Sequence, residues 1–213
     1  MITRESMQSN TTPVSSNLIS MTKFALNINW AEGVEQRLNT FGQIGADGAG
    51  PFLPAIESVV STLESGGKLI FFGNGGSAAE AQHIAAEFVG HFVTVRDPLA
   101  AIALTTDTSA ITAIGNDYGF DEIYARQVRA LARPGDYVVG FSTSGNSKNV
   151  IRGLEEASAM GIANAAFVGN NPGLAGSAAD TVFTVPSNLT TVIQEAHLAI
   201  WHMICAEMDT RFT

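Results

Sequence analysis

From Asn29 onward, short unbroken apolar runs alternate with longer stretches in which apolar residues recur every three or four positions. Trp30 to Ile44 and Phe52 to Leu63 carry helical spacing, with Pro51 and Pro54 near the start of the second. Lys68-Leu69-Ile70-Phe71-Phe72 has strand length and runs into Gly73-Asn74-Gly75-Gly76-Ser77, after which a helical pattern continues to about Gly90. Leu99 to Leu104 is a second short run, followed by a turn and by helical segments around Thr108–Ile114 and Asp121–Ala132. Tyr137 to Phe141 repeats the arrangement and opens into Ser142-Thr143-Ser144-Gly145-Asn146-Ser147, with a helix to about Met160. Ala165–Val168 and Thr181–Val185 complete five strands, all expected to be buried, and a last helix spans about Leu189 to Met208. Apolar strands alternating with helices predict an α/β protein, a three-layer sandwich in which helices flank a five-stranded parallel sheet.

No fixed-period repeat or long linker interrupts this pattern, so residues 29–213 are expected to form one domain. Residues 1–28 are expected to form a flexible tail. Its first twenty positions are rich in Ser, Thr and Asn, carry Arg4 and Glu5, and lack an apolar run of signal-peptide length; Met7 and Met21 are alternative starts. No stretch approaches the ~20 apolar residues of a membrane span.

Composition narrows the function. Hydrophobic residues make up 46% of the 213, enough for a sizeable core, while charged residues are only 15%. So thin a charged coat points to surface buried in an oligomer. The formal net charge of −9 argues against nucleic acid or an anionic membrane as partner. A phosphorylated ligand stays open, because backbone amides and hydroxyls bind phosphate without Lys or Arg. Cys205 is the only cysteine, which excludes a disulfide framework and a cysteine-based metal site and makes the cytosol the expected location.

Gly73–Ser77 and Ser142–Ser147 share one design: apolar strand, small polar loop, helix. Such loops lie at the carboxyl ends of strands, where ligands bind in open α/β sheets. Glycines admit close approach, helix N-termini present free N–H groups, and hydroxyls add donors, which together make a phosphate cradle. The ordinary alternative is that Ser and Asn only cap the following helices. Neither loop is a P-loop or a Gly-x-Gly-x-x-Gly fingerprint.

The helix after the first loop carries His83 and Glu87, four residues apart and so on one face, able to share a metal ion or a proton path; a surface pair is the plainer alternative. The last helix sets Gln194, Glu195, His197 and His202 in an otherwise apolar segment, where polar groups need partners if buried. Gln194 and His202 are separated by about 80° around the helix and roughly 12 Å along it. Spacing alone does not choose between His197 and His202 as the functional imidazole.

Gly-Asn-Gly-Gly-Ser, His-x-x-x-Glu, Gly-Asn-Asp-Tyr-Gly-Phe, Ser-Thr-Ser-Gly-Asn-Ser and Ile-Gln-Glu-x-His-x-x-x-x-His, in this order from about Trp30 to the C-terminus, resemble the sugar isomerase (SIS) domain family, most of all its members that isomerise sedoheptulose 7-phosphate. The resemblance implies a homotetramer with active sites between subunits. It implies that Ser77, Ser142, Thr143, Ser144 and Ser147 hold the sugar phosphate, with Gly75 and Gly76 in the same cradle, and that Asn74, Asp117 and Gln194 contact the sugar. It further implies Glu87 as base, His202 as acid, and His83, Glu87, Gln194 and His202 as ligands of a zinc ion. His91 and Thr191 stand where the family pattern carries Arg and Asp.

These residue types suit aldose–ketose isomerisation, in which a carboxylate takes a carbon-bound proton and an imidazole serves the neighbouring oxygen. Two alternatives remain. One is isomerisation of another sugar phosphate; the other is a non-catalytic SIS adaptor that binds the replication initiator. The adaptors replace the later His, which this chain keeps as His202.

Overall fold

A computed structural model describes residues 29–46 and 48–213; the expected tail, 1–28, lies outside the described residues. The elements are α1 (Trp30–Ala46), a 3-10 turn (Gly50–Phe52), α2 (Leu53–Glu64), β1 (Leu69–Gly73), α3 (Gly76–Val89), β2 (Ala101–Ala103) and α4 (Thr108–Tyr118). A second 3-10 turn (Phe120–Glu122) leads into α5 (Ile123–Leu131), then β3 (Tyr137–Ser142), α6 (Lys148–Ala159), β4 (Asn164–Val168), α7 (Gly173–Ala178), β5 (Thr181–Thr184) and α8 (Thr190–Arg211). All pairings are parallel, in the order β2-β1-β3-β4-β5.

Alternate residues of each central strand enter opposite layers. Leu69, Phe71, Val139, Phe141 and Phe167 pack under α2, α3 and α8. Ile70, Phe72, Val138, Ala166 and Val168 pack under α5, α6 and α7. With both faces covered, a central strand must be apolar throughout, which is why β1, β3 and β4 read as unbroken runs.

Two sequence expectations change. β2 and β5 are not fully buried, because they are the sheet's edges and lack a neighbour on one side. The short helix α7 was not expected; its Gly-Leu-Ala-Gly-Ser-Ala sequence has little helical periodicity, and Ala175 alone is buried. Two helices leave apolar surface in the open: Trp30, Val34 and Leu38 recur along one exposed stripe of α1, and α4 buries none of its residues.

Candidate functional site

β1 and β3 are neighbours, but the chain leaves β1 for α3 on one face and β3 for α6 on the other. A crevice opens where the connections part, at the carboxyl ends of the strands. Asn74 and Asn149 close its floor, each side-chain amide donating to the other's carbonyl at 2.8 Å. Tyr124, buried against Phe72, donates its hydroxyl to the Gly73 carbonyl and pins the end of β1.

The Ser142–Ser147 loop folds on itself. Ser142 Oγ donates to Ser147 Oγ at 3.2 Å, and Asn146 N donates to Ser144 Oγ at 3.2 Å. Gly145 has φ 68°, and a side chain there would run into the Pro172 carbonyl, so the turn requires glycine. Ser147 occupies the N-cap position of α6, yet its side chain makes no capping bond, and α3 is led by Gly75, also without one. Capping of α6 therefore does not account for the Ser147 hydroxyl. Ser77 is buried, Thr143 half-buried and Ser144 exposed, so the loops present groups at graded depth around one crevice.

Beside the crevice, α3 and α8 bring three titratable side chains together. His83 Nε2 lies 3.1 Å from Glu87 Oε1 and 3.0 Å from His202 Nε2. One ligand atom from each falls within 4.8 Å of the others, a cluster able to hold a metal ion. His202 is half-buried, and its ring stacks on Phe92 with centroids 5.1 Å apart. Burial, reinforced by His83, holds the His202 pKa below its usual value, against the opposing pull of Glu87.

Gln194 sits one step away. Its amide lies against Gly76, where an added Cβ would be 2.5 Å from Oε1, and it shares with Gly76, Ala79, Glu80, His83 and Leu198 a hollow of about 270 Å³. The structure thus gathers His83, Glu87 and His202 at one point and places Gln194 against Gly76, at the first turn of α3, in a hollow that His83 also lines. Asp117 is on exposed α4, accepting from Asn116 Nδ2 at 2.8 Å. His91 and Thr191 are exposed, one past the end of α3 and one in the first turn of α8.

The two imidazoles of α8 lie in different surroundings. His197 is wholly buried, with Nε2 3.1 Å from the Val168 carbonyl, whereas His202 joins the cluster. Sequence reading missed Tyr124, Asn149, Glu80 and Phe92. Asn149 carried a faint signal, a polar residue directly before the apolar Val150-Ile151 pair; Phe92 carried none, since it lies outside any periodic segment.

The profile of the SIS domain matches residues 32–169, and the chain belongs to that family. Its relatives place it further. It is 56% identical over 156 residues to a protein of Thermoplasma acidophilum named probable phosphoheptose isomerase, covering 73% of this chain and 86% of that one. It is 55% identical over 147 residues to the phosphoheptose isomerase of Aquifex aeolicus, covering 69% and 77%. The solved structure of phosphoheptose isomerase GmhA from Neisseria gonorrhoeae superimposes with a TM-score of 0.79 at 42% identity, over 84% of this chain and 96% of that one.

Proposed function

We propose that this protein is a sugar-phosphate isomerase that interconverts sedoheptulose 7-phosphate and D-glycero-D-manno-heptose 7-phosphate, supplying heptose for a bacterial glycan or metabolite. The carrying observation is the meeting of Glu87, His83 and His202 beside a crevice rimmed by hydroxyls and helix N-termini. The phosphate is held by Ser77, Ser142, Thr143, Ser144 and Ser147 with the free N–H groups of α3 and α6. Asn74, Asp117 and Gln194 address the sugar. Glu87 removes the proton next to the carbonyl, and His202 moves the proton on the adjacent oxygen, so that the ketose and aldose share an enediol. Burial, with His83 beside it, lowers the His202 pKa and so favours the neutral ring.

Two imidazoles and a carboxylate, with one ligand atom from each within 4.8 Å of the others, form a donor set that suits zinc. His83, Glu87 and His202 would hold it, with Gln194 as fourth, and a zinc ion there would supply Lewis-acid polarisation of a carbonyl. The exposed stripe on α1 and the uncovered α4 support a homotetramer with sites at subunit interfaces. Acidic charge and a lone buried cysteine support a cytosolic protein, and no described helix is long and apolar enough to cross a membrane.

The test is proton exchange in deuterated buffer with sedoheptulose 7-phosphate, with and without zinc, beside Glu87→Gln and His202→Gln. Deuterium next to the carbonyl together with aldose, lost by about 10²–10⁴ in folded variants, is the expected result. Full turnover by Glu87→Gln would remove it as the base. Silence with the heptulose but exchange with another ketose phosphate would change the substrate, and silence with all would return the adaptor reading.

A further inference from the structure

Arg96 is the least exposed cation of the described chain that forms an ion pair, with side-chain exposure of 0%, and its hydrogen bonds reach the titratable cluster only at the backbone carbonyl of Glu87. Its guanidinium donates to the carbonyls of Glu87 (2.9 Å), Phe88 (3.0 Å) and Asp97 (3.0 Å), and Nε donates to Asp209 Oδ1 at 2.9 Å. Asp209 lies near the end of α8, and its other oxygen accepts from Val93 N and Thr94 N, both at 2.7 Å. These donors hold the Asp209 pKa below its usual value in spite of burial.

One ion pair therefore ties three pieces together: the last turn of α3, the irregular segment after it, and α8. Each bears on the cluster. Glu87 is in that last turn, and its own carbonyl is one of the acceptors. The irregular segment carries Phe92, the ring stacked on His202. His202 lies seven residues before Asp209, two turns earlier on α8 and so on nearly the same face. A buried guanidinium with carbonyls on several sides and a carboxylate with two backbone donors leave little freedom for these parts to slide.

We propose that Arg96 and Asp209 are positioning residues for the isomerisation: a clamp that fixes Glu87 against His202 and presses Phe92 onto the His202 ring. The proposal rests on the isomerase reading for its effect on turnover, but its structural part stands apart from it. The Ser142–Ser147 loop joins β3 to α6, and Ser77 lies in the first turn of α3, at the opposite end from the clamp, so loosening it spares phosphate binding and disturbs the reacting end.

The experiment compares Arg96→Lys, Asp209→Asn and Phe92→Leu with the wild type, each checked by circular dichroism and oligomer size. The first readout is the His202 ring resonances by NMR without metal, assigned from their loss in His202→Gln. Phe92→Leu removes the stacked ring and sets the unstacked position. Arg96→Lys and Asp209→Asn are expected to shift the His202 resonances toward that position; resonances unmoved in both folded variants overturn the clamp. The second readout is turnover with inhibition by inorganic phosphate. A kcat lower by about tenfold or more, beside a phosphate inhibition constant within about twofold of wild type, is expected, since small misplacements of reacting groups cost up to roughly 10²-fold. Unchanged kcat, or equal loss of kcat and phosphate affinity, overturns it. Where either clamp variant fails to fold, Phe92→Leu, which leaves the ion pair intact, must still lower kcat; full activity there overturns the proposal. A wild type without turnover refutes the isomerase reading instead, and the resonance shift alone then decides the clamp.

Discussion

Glu80 Oε1 stands 3.7 Å from His197 Nδ1, and both groups are buried between α3 and α8. Neither atom has a hydrogen-bond partner, and His197 spends its other nitrogen on the Val168 carbonyl. With Nε2 as that donor, Nδ1 is an acceptor, so a protonated Glu80 is the form that suits it. Burial drives both groups toward neutrality, pushing Glu80 well above its usual value, with Ser77 opposing, and His197 down to about 4. The two are a neutral seam between the helices that carry the cluster.

The seam sets opposite pH dependences. His197 titrates lower in the fold than unfolded, so its contribution is complete above about pH 6.5 and is lost as pH falls toward 4. Glu80 titrates higher in the fold, so its contribution is complete below the ordinary glutamate range and is lost as pH rises through its folded value. Glu80→Gln keeps a donor for Nδ1 and abolishes the second loss. Urea unfolding is therefore expected to show this variant gaining on the wild type between pH 5 and pH 8, by about 1–3 kcal/mol, the scale of desolvating one poorly partnered polar group. A constant difference across that range would mean Glu80 is ionised in the fold.

The Asn74–Asn149 amide pair joins the loop after β1 to the first turn of α6, on paths that leave the sheet on opposite faces. Asn149→Ala strands the Asn74 amide at the floor of the crevice. A stability loss of about 1–3 kcal/mol is expected from the urea midpoint, together with a raised KM, because the loop after β1 and the start of α6 lose their common anchor. A stable variant with wild-type KM would show that each loop is held by its own strand and helix alone.

What the sequence disclosed follows from where its physics is local. The central strands β1, β3 and β4 were readable because burial on both faces demands unbroken apolar runs, and the loops after β1 and β3 because glycine and hydroxyl clusters interrupt those runs. His83 and Glu87 share a helix, so their spacing told the truth about their proximity. The meeting with His202, 119 residues later, depends on how α8 packs on α3, which no local spacing encodes. For the same reason His197 looked as suitable as His202; only the sheet beneath α8 makes one of them core. Phe92 and Arg96 were invisible because they lie in irregular chain whose order comes from Asp209, at the far end of the sequence.

Ser144 is the exposed hydroxyl of its loop, and its oxygen accepts from Asn146 N. In the proposed reaction it meets only the phosphate, which does not change during isomerisation. Ser144→Ala should raise KM roughly tenfold, the worth of a hydrogen bond to a charged group, and leave kcat within about threefold. Steady-state kinetics decide this, and a selective fall in kcat would place Ser144 nearer the reacting carbons.

Gly76 offers a way to move Gln194 without touching it. An added Cβ there would stand 2.5 Å from Oε1 and 2.6 Å from Nε2 of Gln194, the free end of a flexible side chain. Gly76 is the first residue of α3, where alanine has the better helix propensity, so Gly76→Ala is expected to leave the melting temperature unchanged or slightly higher. The displaced amide, however, leaves the hollow it shares with His83. If Gln194 orients the sugar or completes the metal site, turnover falls by about tenfold or more in a protein that is otherwise as stable as the wild type. Differential scanning fluorimetry and kinetics on the same sample separate the two effects. Unaltered turnover with unaltered stability would relieve Gln194 of both roles and leave the chemistry to Glu87, His83 and His202.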